Sequence, residues 1–433
     1  MGAVRTSCFA GRSSLAIACL AWIAACDSHP PARGGAYVPV PPSPHPESPR
    51  PTPSTPPAEP ATPWLRDIVQ VAVGSAHVCA LTAHRRVACW GDNAAGQLGV
   101  GVDGRSAPAN LARPHIVGGL PPIASIAAGA MHTCAIDGDG AVFCWGSAGA
   151  DVAFTGGGVA ASIELHGERL GTPVRMPLGR ERARVVALSN DGDDACAAFA
   201  DDVRCWETSG AIPVGASTIA APTVTPAPVP DVSALAIGHG KVCAVARGQV
   251  LCWSRASAKP SPAARSRGDT SMAAKIAIGQ SHACVANVAG ELRCWSSTTD
   301  DFWKKPPTQE VRWREKSPTR DVAAGDSPLC TVDSEGRVDC FLSEEGGLTD
   351  QAVARSWATK KVGPHPIPGV DAAVAVGLGL GRDVFAYGFG CALRATPDVR
   401  GAQVFCWGDN DSGQLGSDDH TSSRGAVPVV GAR

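Results

Sequence analysis

Short runs of alternating apolar and small residues recur along the chain. Each is followed by a turn and by a second run that ends in Cys and an aromatic residue. Val71-Ala72-Val73-Gly74-Ser75-Ala76-His77-Val78-Cys79-Ala80-Leu81 leads to Val87-Ala88-Cys89-Trp90-Gly91. Ile126-Ala127-Ala128-Gly129-Ala130-Met131-His132-Thr133-Cys134-Ala135-Ile136 leads to Val142-Phe143-Cys144-Trp145-Gly146. The skeleton returns at Cys196/Cys205-Trp206, Cys243/Cys252-Trp253, Cys284/Cys294-Trp295, Cys330/Cys340-Phe341 and Cys391/Cys406-Trp407, making seven units. A period of two with turn residues between the runs predicts one β-hairpin per unit. Self-similarity at this spacing predicts a closed repeat architecture.

The hairpin register predicts the cysteine pairing. Folding the chain about a two-residue loop at Arg247-Gly248 sets Cys243 opposite Cys252. A three-residue loop centred on Asp139 sets Cys134 opposite Cys144. Directly opposed strand residues bring their Cβ atoms close enough for a bridge. The same reasoning pairs Cys79–Cys89, Cys196–Cys205, Cys284–Cys294, Cys330–Cys340 and, over a longer turn around Pro397, Cys391–Cys406. Adjacent strand residues point to opposite faces. Each Trp is therefore expected to pack on one neighbouring unit while its adjacent disulfide faces the other.

Composition adds the compartment. The chain has 433 residues, 17 Cys, 49 Gly, 36 Pro and a net charge of −2. That balance carries no electrostatic footprint for nucleic acid, and so many cysteines fit an oxidising environment. Residues 1–25 read as a signal peptide: Arg5 and Arg12 precede an Ala-rich apolar stretch too short to span a bilayer. It ends in Ile23-Ala24-Ala25-Cys26, which resembles the lipobox of bacterial lipoproteins and implies that Cys26 is cut free and acylated (palmitate among the acyl chains). Residues 26–63 read as the lipidated Cys and a Pro-rich linker in extended polyproline II conformation. Cys8 and Cys19 leave with the signal and Cys26 is taken by lipid, so fourteen cysteines remain for seven local pairs.

The pattern Ala-x-Gly-x-x-His-x-Cys-Ala-Leu, turn, Val-x-Cys-Trp-Gly-Asp-Asn-x-x-Gly-Gln-Leu-Gly resembles the regulator of chromosome condensation repeat. It is clear over Val71–Gly99 and again over Phe405–Gly416; unit three lacks the His, and unit six has Phe341 for Trp. The resemblance implies an all-β, seven-bladed propeller over residues 64–433. The tail Ala426-Val427-Pro428-Val429-Val430 resembles Pro114-His115-Ile116-Val117 and is expected to supply a strand missing from blade one. The nucleotide-exchange role of the family's eukaryotic founder needs a nuclear GTPase and a basic DNA-facing surface, which an exported chain of this charge does not meet. Some secreted bacterial members resemble protein inhibitors that cap an enzyme with a propeller face.

Candidate chemistry is sparse. His77, His132 and His282 stand two residues before a Cys but recur with the repeat, and no Cys-x-x-Cys motif accompanies them. They are expected to be structural, hydrogen-bonding residues. Gly325-Asp326-Ser327-Pro328-Leu329 superficially resembles a lipase nucleophile block but occupies the repeat's Gly-x-x-His slot. Asp409-Asn410-Asp411-Ser412-Gly413 hints at a calcium loop, lacks the closing acid, and matches the repeat's turn. No cofactor, metal, catalytic residue, small-molecule ligand or nucleic-acid partner is expected. Trp303 and Trp313, outside the Cys-Trp rhythm between units five and six, are candidate contacts for a protein partner, or else cover the blade's outer edge.

These readings converge on a monomeric protein-binding scaffold, lipid-anchored to the inner or outer membrane and displayed in the periplasm or on the cell surface. Two alternatives stay open: a propeller lyase or hydrolase acting on envelope polysaccharide, and a carbohydrate-binding module using exposed Trp. Converging acids and bases on the axis would mark the enzyme; an aromatic platform would mark the sugar binder.

Overall fold

In the computed structural model, the described residues are 65–431, except 102–107, 149–167, 191, 193, 208–223, 239, 256–258, 260, 263–272, 280–281, 297–310, 314–316, 326–327, 342–363, 380–387 and 397–400. Two units separate, residues 1–58 and 59–433, and all described residues belong to the second. Cys26 and the linker therefore lie outside the described residues.

The second unit is all β, built as seven blades of four antiparallel strands in chain order. Blade one is β1 (Ile68–Val73), β2 (His77–Thr82), β3 (Val87–Asp92) and β4 (Asn110–Ile116). Blade two is β5 (Ile123–Ala128), β6 (His132–Asp137), β7 (Val142–Ala148) and β8 (Glu168–Arg175). Blade three is β9 (Val185–Leu188), β10 (Asp194–Ala198), β11 (Val203–Glu207) and β12 (Thr225–Ala227). Blade four is β13 (Val232–Gly238), β14 (Lys241–Ala246), β15 (Gln249–Ser254) and β16 (Ser261–Pro262). Blade five is β17 (Ala273–Ile278), β18 (His282–Asn287), β19 (Leu292–Ser296) and β20 (Val311–Trp313). Blade six is β21 (Thr319–Ala324), β22 (Leu329–Asp333), β23 (Val338–Phe341) and β24 (Pro364–Pro366). Blade seven is β25 (Ala373–Leu378), β26 (Phe389–Ala395), β27 (Ala402–Gly408) and β28 (Ser423–Pro428).

The first strand of each blade touches the first strand of the next, and β25 touches β1, so these seven strands ring the axis. Six of them shift register at the second residue, as between Ile68 and Gln70 or Thr319 and Asp321. Polar side chains just after the bulge bind the neighbouring blade. Gln70 Nε2 donates to Ile126 O at 2.7 Å, and Ile126 N donates to Gln70 Oε1 at 3.0 Å. Asp321 accepts from Val376 N at 3.0 Å and pairs with Lys275 at 3.6 Å.

The cysteine register is as the turns require. Cys243 opposes Cys252 about Arg247-Gly248, both at positive φ (51° and 74°), the mark of a tight two-residue hairpin turn. Cys134 opposes Cys144 about Gly138-Asp139-Gly140, where Asp137 Oδ1 accepts from Asp139 N and Ala141 N. All seven predicted pairs are bonded, with Cα–Cα distances of 4.0–4.1 Å. Such a set of bridges belongs to an oxidising, extracytoplasmic environment.

The core is divided among seven clusters, one at each seam between blades. Cys79 and Cys89 of blade one lie with Trp145 of blade two, Cys134 and Cys144 with Trp206, Cys196 and Cys205 with Trp253, and Cys330 and Cys340 with Trp407. Cys284 and Cys294 meet Phe341, which replaces Trp, and Cys243 and Cys252 meet Ala283. Cys391 and Cys406 meet Trp90, which joins the last blade to the first. The alternation of Cys and aromatic along one strand thus becomes a disulfide on one face and an aromatic plug on the other.

The closure differs from the sequence expectation. The tail does not complete blade one, which already has four strands; β28 is the outer strand of blade seven and pairs with β27. The resemblance to Pro114–Val117 is sound, but that segment is itself the end of the outer strand of blade one. The ring instead closes through Trp90 packing, a bridge from Ile68 to Ala402, and Leu65 N donating to Val429 O at 2.9 Å.

Candidate functional site

Each blade presents two ends. One bears the loop between first and second strands and the loop between third and fourth; the other bears the central hairpin turn and the link to the next blade.

At the first end, the Gly-x-x-His slot is structural. A Cβ on Gly129 would lie 2.6 Å from His132 Cε1 and 2.8 Å from Ser189 O of the next blade, so only Gly fits beneath the imidazole. His77, His132 and His282 are fully buried, and desolvation lowers their pKa to about 3, about 4 and about 4, respectively. Thr133 Oγ1 donates to Gln97 O at 2.9 Å, which leaves His77 Nε2 to donate to Thr133 Oγ1 across the seam at 2.9 Å. His132 departs from the expectation: neither ring nitrogen has a hydrogen-bond partner among the described residues. Its ring fills volume over Gly129, as Phe389 does over Gly379 in blade seven. His132→Phe should therefore leave the thermal midpoint within a few degrees of wild type. His77→Phe strips Thr133 of a buried donor and should cost about 1–3 kcal/mol. Equal losses in thermal melts of the two variants would refute this distinction.

The calcium-like loop is committed to its own backbone. Asn410 Oδ1 accepts from Leu415 N at 2.8 Å, and Asp409 Oδ2 accepts from Gln414 Nε2 at 2.8 Å. Asp92, Asn93 and Gln97 repeat the arrangement in blade one. The loops also serve the seams: Gln414 O accepts from Trp90 Nε1 and Gln97 O from Trp145 Nε1, both at 2.9 Å. Trp206 and Trp407 have no partner for Nε1 among the described residues.

Blade three breaks the slot. Its loop between β9 and β10 has two more residues than that of blade two, and Asp194 stands where His would be, ion-paired with Arg255 of blade four at 2.7 Å. The extra length carries Asn190 across the axis. Ser75 Oγ of blade one donates to Asn190 O at 2.9 Å, and Asn190 Nδ2 donates to Leu378 O of blade seven at 3.5 Å. Asn190 thus links blades one, three and seven at this end of the axis.

The hairpin-turn end differs in character. Val69 (52% exposed) and Val288 (60%), the exposed large hydrophobics among the described residues, both lie there. So do exposed Arg66, His84, Arg85 and Arg86 of blade one and Arg175, Arg180, Arg182 and Arg184 between blades two and three. A cleft of about 650 Å³ opens beside the blade-two turn, with Met176, Leu178 and Phe199 in its apolar floor and Arg175 and Arg180 in its wall.

Of the candidate contact residues, Trp303 lies outside the described residues. Trp313 does not stand in an insertion: it is on β20, the outer strand of blade five, opposite Leu292. Pro328 occupies the His slot, its carbonyl accepting from Gly325 N at 2.9 Å. Among the described residues no group of three metal-ligating side chains converges.

Comparison with known proteins agrees with this geometry. Models of the Regulator of chromosome condensation (RCC1) repeat match residues 68–97 and 86–136. The chain is 40% identical over 81 residues to the probable E3 ubiquitin-protein ligase HERC4 of Mus musculus, covering 18% of this chain and 7% of that protein. It is 36% identical over 84 residues to protein pim1 of Schizosaccharomyces pombe, covering 19% and 16%. The matches thus span well under a fifth of these relatives' lengths. Among solved structures, Prp20p of Saccharomyces cerevisiae, studied for binding to Gsp1p and histones, superposes with a TM-score of 0.52 at 17% identity, covering 84% of this chain and 90% of that one. Human WBSCR16 superposes with a TM-score of 0.53 at 17% identity, covering 79% and 93%. At these identities the likeness is one of fold.

Proposed function

Starting from a β-propeller of the regulator of chromosome condensation repeat family, which this chain is, we propose that it is an exported, lipid-tethered scaffold that binds a protein partner through its hairpin-turn face. The observation that carries this reading is the contrast between the two ends. Among the described residues, one carries the seam-sealing loops of blades one and seven and the Asn190 bridge; the other exposes Val69, Val288 and a group of arginines on a disulfide-stapled frame. Loops on a rigid scaffold are where recognition concentrates, and exposed apolar and Arg side chains are the groups that anchor interfaces. Prp20p binds protein partners on the same fold, which supports protein recognition as the class of activity. The buried histidines and the Asx loops already serve packing and backbone caps, so the scaffold is read as non-catalytic and without a bound cofactor.

The tether rests on Ile23-Ala24-Ala25-Cys26 and the Pro-rich segment behind it. Metabolic labelling with a fatty acid should mark the wild-type protein and leave Cys26→Ser unmarked; equal labelling would remove the lipid anchor from this reading. Binding is tested by capture from the native cell envelope on the immobilised protein. A saturable protein partner, retained after polysaccharide digestion, is expected. Retention of polysaccharide alone, or its cleavage, would favour a sugar-directed activity instead.

A further inference from the structure

We infer that the cleft between blades two and three at the hairpin-turn end is a docking site for an acidic peptide segment carrying apolar side chains. This rests on the reading of the propeller as a protein-binding module and assigns that module a site and a partner chemistry.

The cleft is assembled from residues distant in sequence. The blade-two turn forms one wall. It is held between two arginines: a Cβ on Gly138 would lie 2.6 Å from Arg85 Nη2, and Arg182 Nη2 donates to Gly138 O at 2.8 Å. The link from blade two to blade three forms the other wall and brings Arg175 and Arg180 to the opening. Met176, Leu178 and Phe199 are buried in the floor, with the Arg204 guanidinium 4.3 Å from the Phe199 ring centroid.

The charges do not cancel. Each acid in the lining has an engagement: Asp137 caps the turn amides, Asp139 pairs with Arg182 at 3.5 Å, and Glu181 shares Arg204 with Asp202. Arg175 and Arg180 are exposed and have no acidic partner among the described residues. With the neighbouring ion-pair partners included, Arg85, Arg175, Arg180, Arg182 and Arg204 stand against Asp137, Asp139, Glu181 and Asp202, which leaves one positive charge in excess, with Arg175 and Arg180 free at the opening; guanidinium groups bind carboxylates with directional, charge-assisted hydrogen bonds. An apolar floor below a cationic rim fits a chain with carboxylates flanking an aliphatic or aromatic side chain. A lone inorganic anion makes no use of the floor, and a planar bilayer surface does not reach it.

The test uses the full-length protein and a fluorescein-labelled synthetic peptide of alternating Glu and Phe, read by anisotropy. Wild type should bind it and not its Lys–Phe counterpart. Arg175→Glu with Arg180→Glu should weaken binding by about tenfold or more, with an unchanged thermal midpoint because both side chains are exposed. Arg424→Glu, an exposed arginine on β28, should leave binding unchanged. Failure of wild type to bind the peptide, or equal loss in both variants, overturns the assignment. So does binding to phosphatidylglycerol vesicles that is lost in the double variant while the peptide does not bind. Envelope capture separates the two readings: a partner held equally by wild type and the double variant removes this site but leaves the scaffold standing, and no captured protein removes the scaffold itself.

Discussion

Full reduction of the propeller is expected to unfold it, with loss of its far-ultraviolet strand signal and a red shift of tryptophan emission in mild denaturant that the oxidised protein withstands. Six bridges close loops whose cysteines are 9 or 10 residues apart, and one spans 15. Closing a loop of that size stabilises by about 2–3 kcal/mol in the chain-entropy model. Seven together come to on the order of 15 kcal/mol, comparable with the whole stability of a typical domain. The bridges also occupy the seams, and among the described residues six of the seven pack against the next blade's aromatic plug. Loss of one pair, as in Cys196→Ala with Cys205→Ala, should cost about 2–3 kcal/mol plus packing at Trp253. Denaturant titration of reduced and oxidised protein decides the matter: coincident curves would show that the bridges contribute nothing.

The second large effect is on acid stability. His77, His132 and His282 are buried as neutral rings, with pKa values of about 3, about 4 and about 4 against an ordinary value of 6.5. Burial is the main cause in each, with His132 adding repulsion at His77. As pH falls through 6.5 the unfolded chain takes up these protons and the folded protein does not, so unfolding becomes more favourable. The contribution is complete above pH 6.5, falls away toward pH 4, and levels off once the folded rings also protonate. At pH 5 each histidine should remove on the order of 2 kcal/mol, and the three together about 6 kcal/mol. The thermal midpoint should drop steeply between pH 6.5 and pH 4. His132→Phe should remove about a third of that slope. A midpoint flat across this window would mean that the rings protonate as readily folded as unfolded.

How far the molecule could be read from its sequence follows from where the information is local. Cys243 and Cys252 with Arg247-Gly248 between them specify turn, register and bridge within ten positions, and the repeat multiplies that signal sevenfold. Cys-Trp adjacency gives the two faces of a blade, so the seam chemistry was legible too. The tail was misplaced because Pro428-Val429-Val430 resembles Pro114–Val117 without revealing which blade that strand edges. The outer strand of blade four, only Ser261-Pro262, carries no periodic signal. His132 was misjudged because a recurring histidine does not show whether its nitrogens find partners. The arginine cleft was invisible for a different reason. Arg85, Gly138 and Arg180 come together only after three blades have packed, and nothing near any one of them marks the others. Asn190 had one faint sign, the missing His of unit three, and the sequence offered no reason to connect that gap with closure of the axis.

The most direct test of the scaffold reading is site-specific photo-crosslinking in the native envelope. A photoreactive residue would be placed singly at His84, Asp139 and Val288 in the hairpin turns, and at Ala94 and His420 at the opposite end. Adducts of one discrete protein mass from the turn positions, and none from Ala94 or His420, are the predicted result. Absence of protein adducts from every position, or adducts from the opposite end alone, would contradict the account.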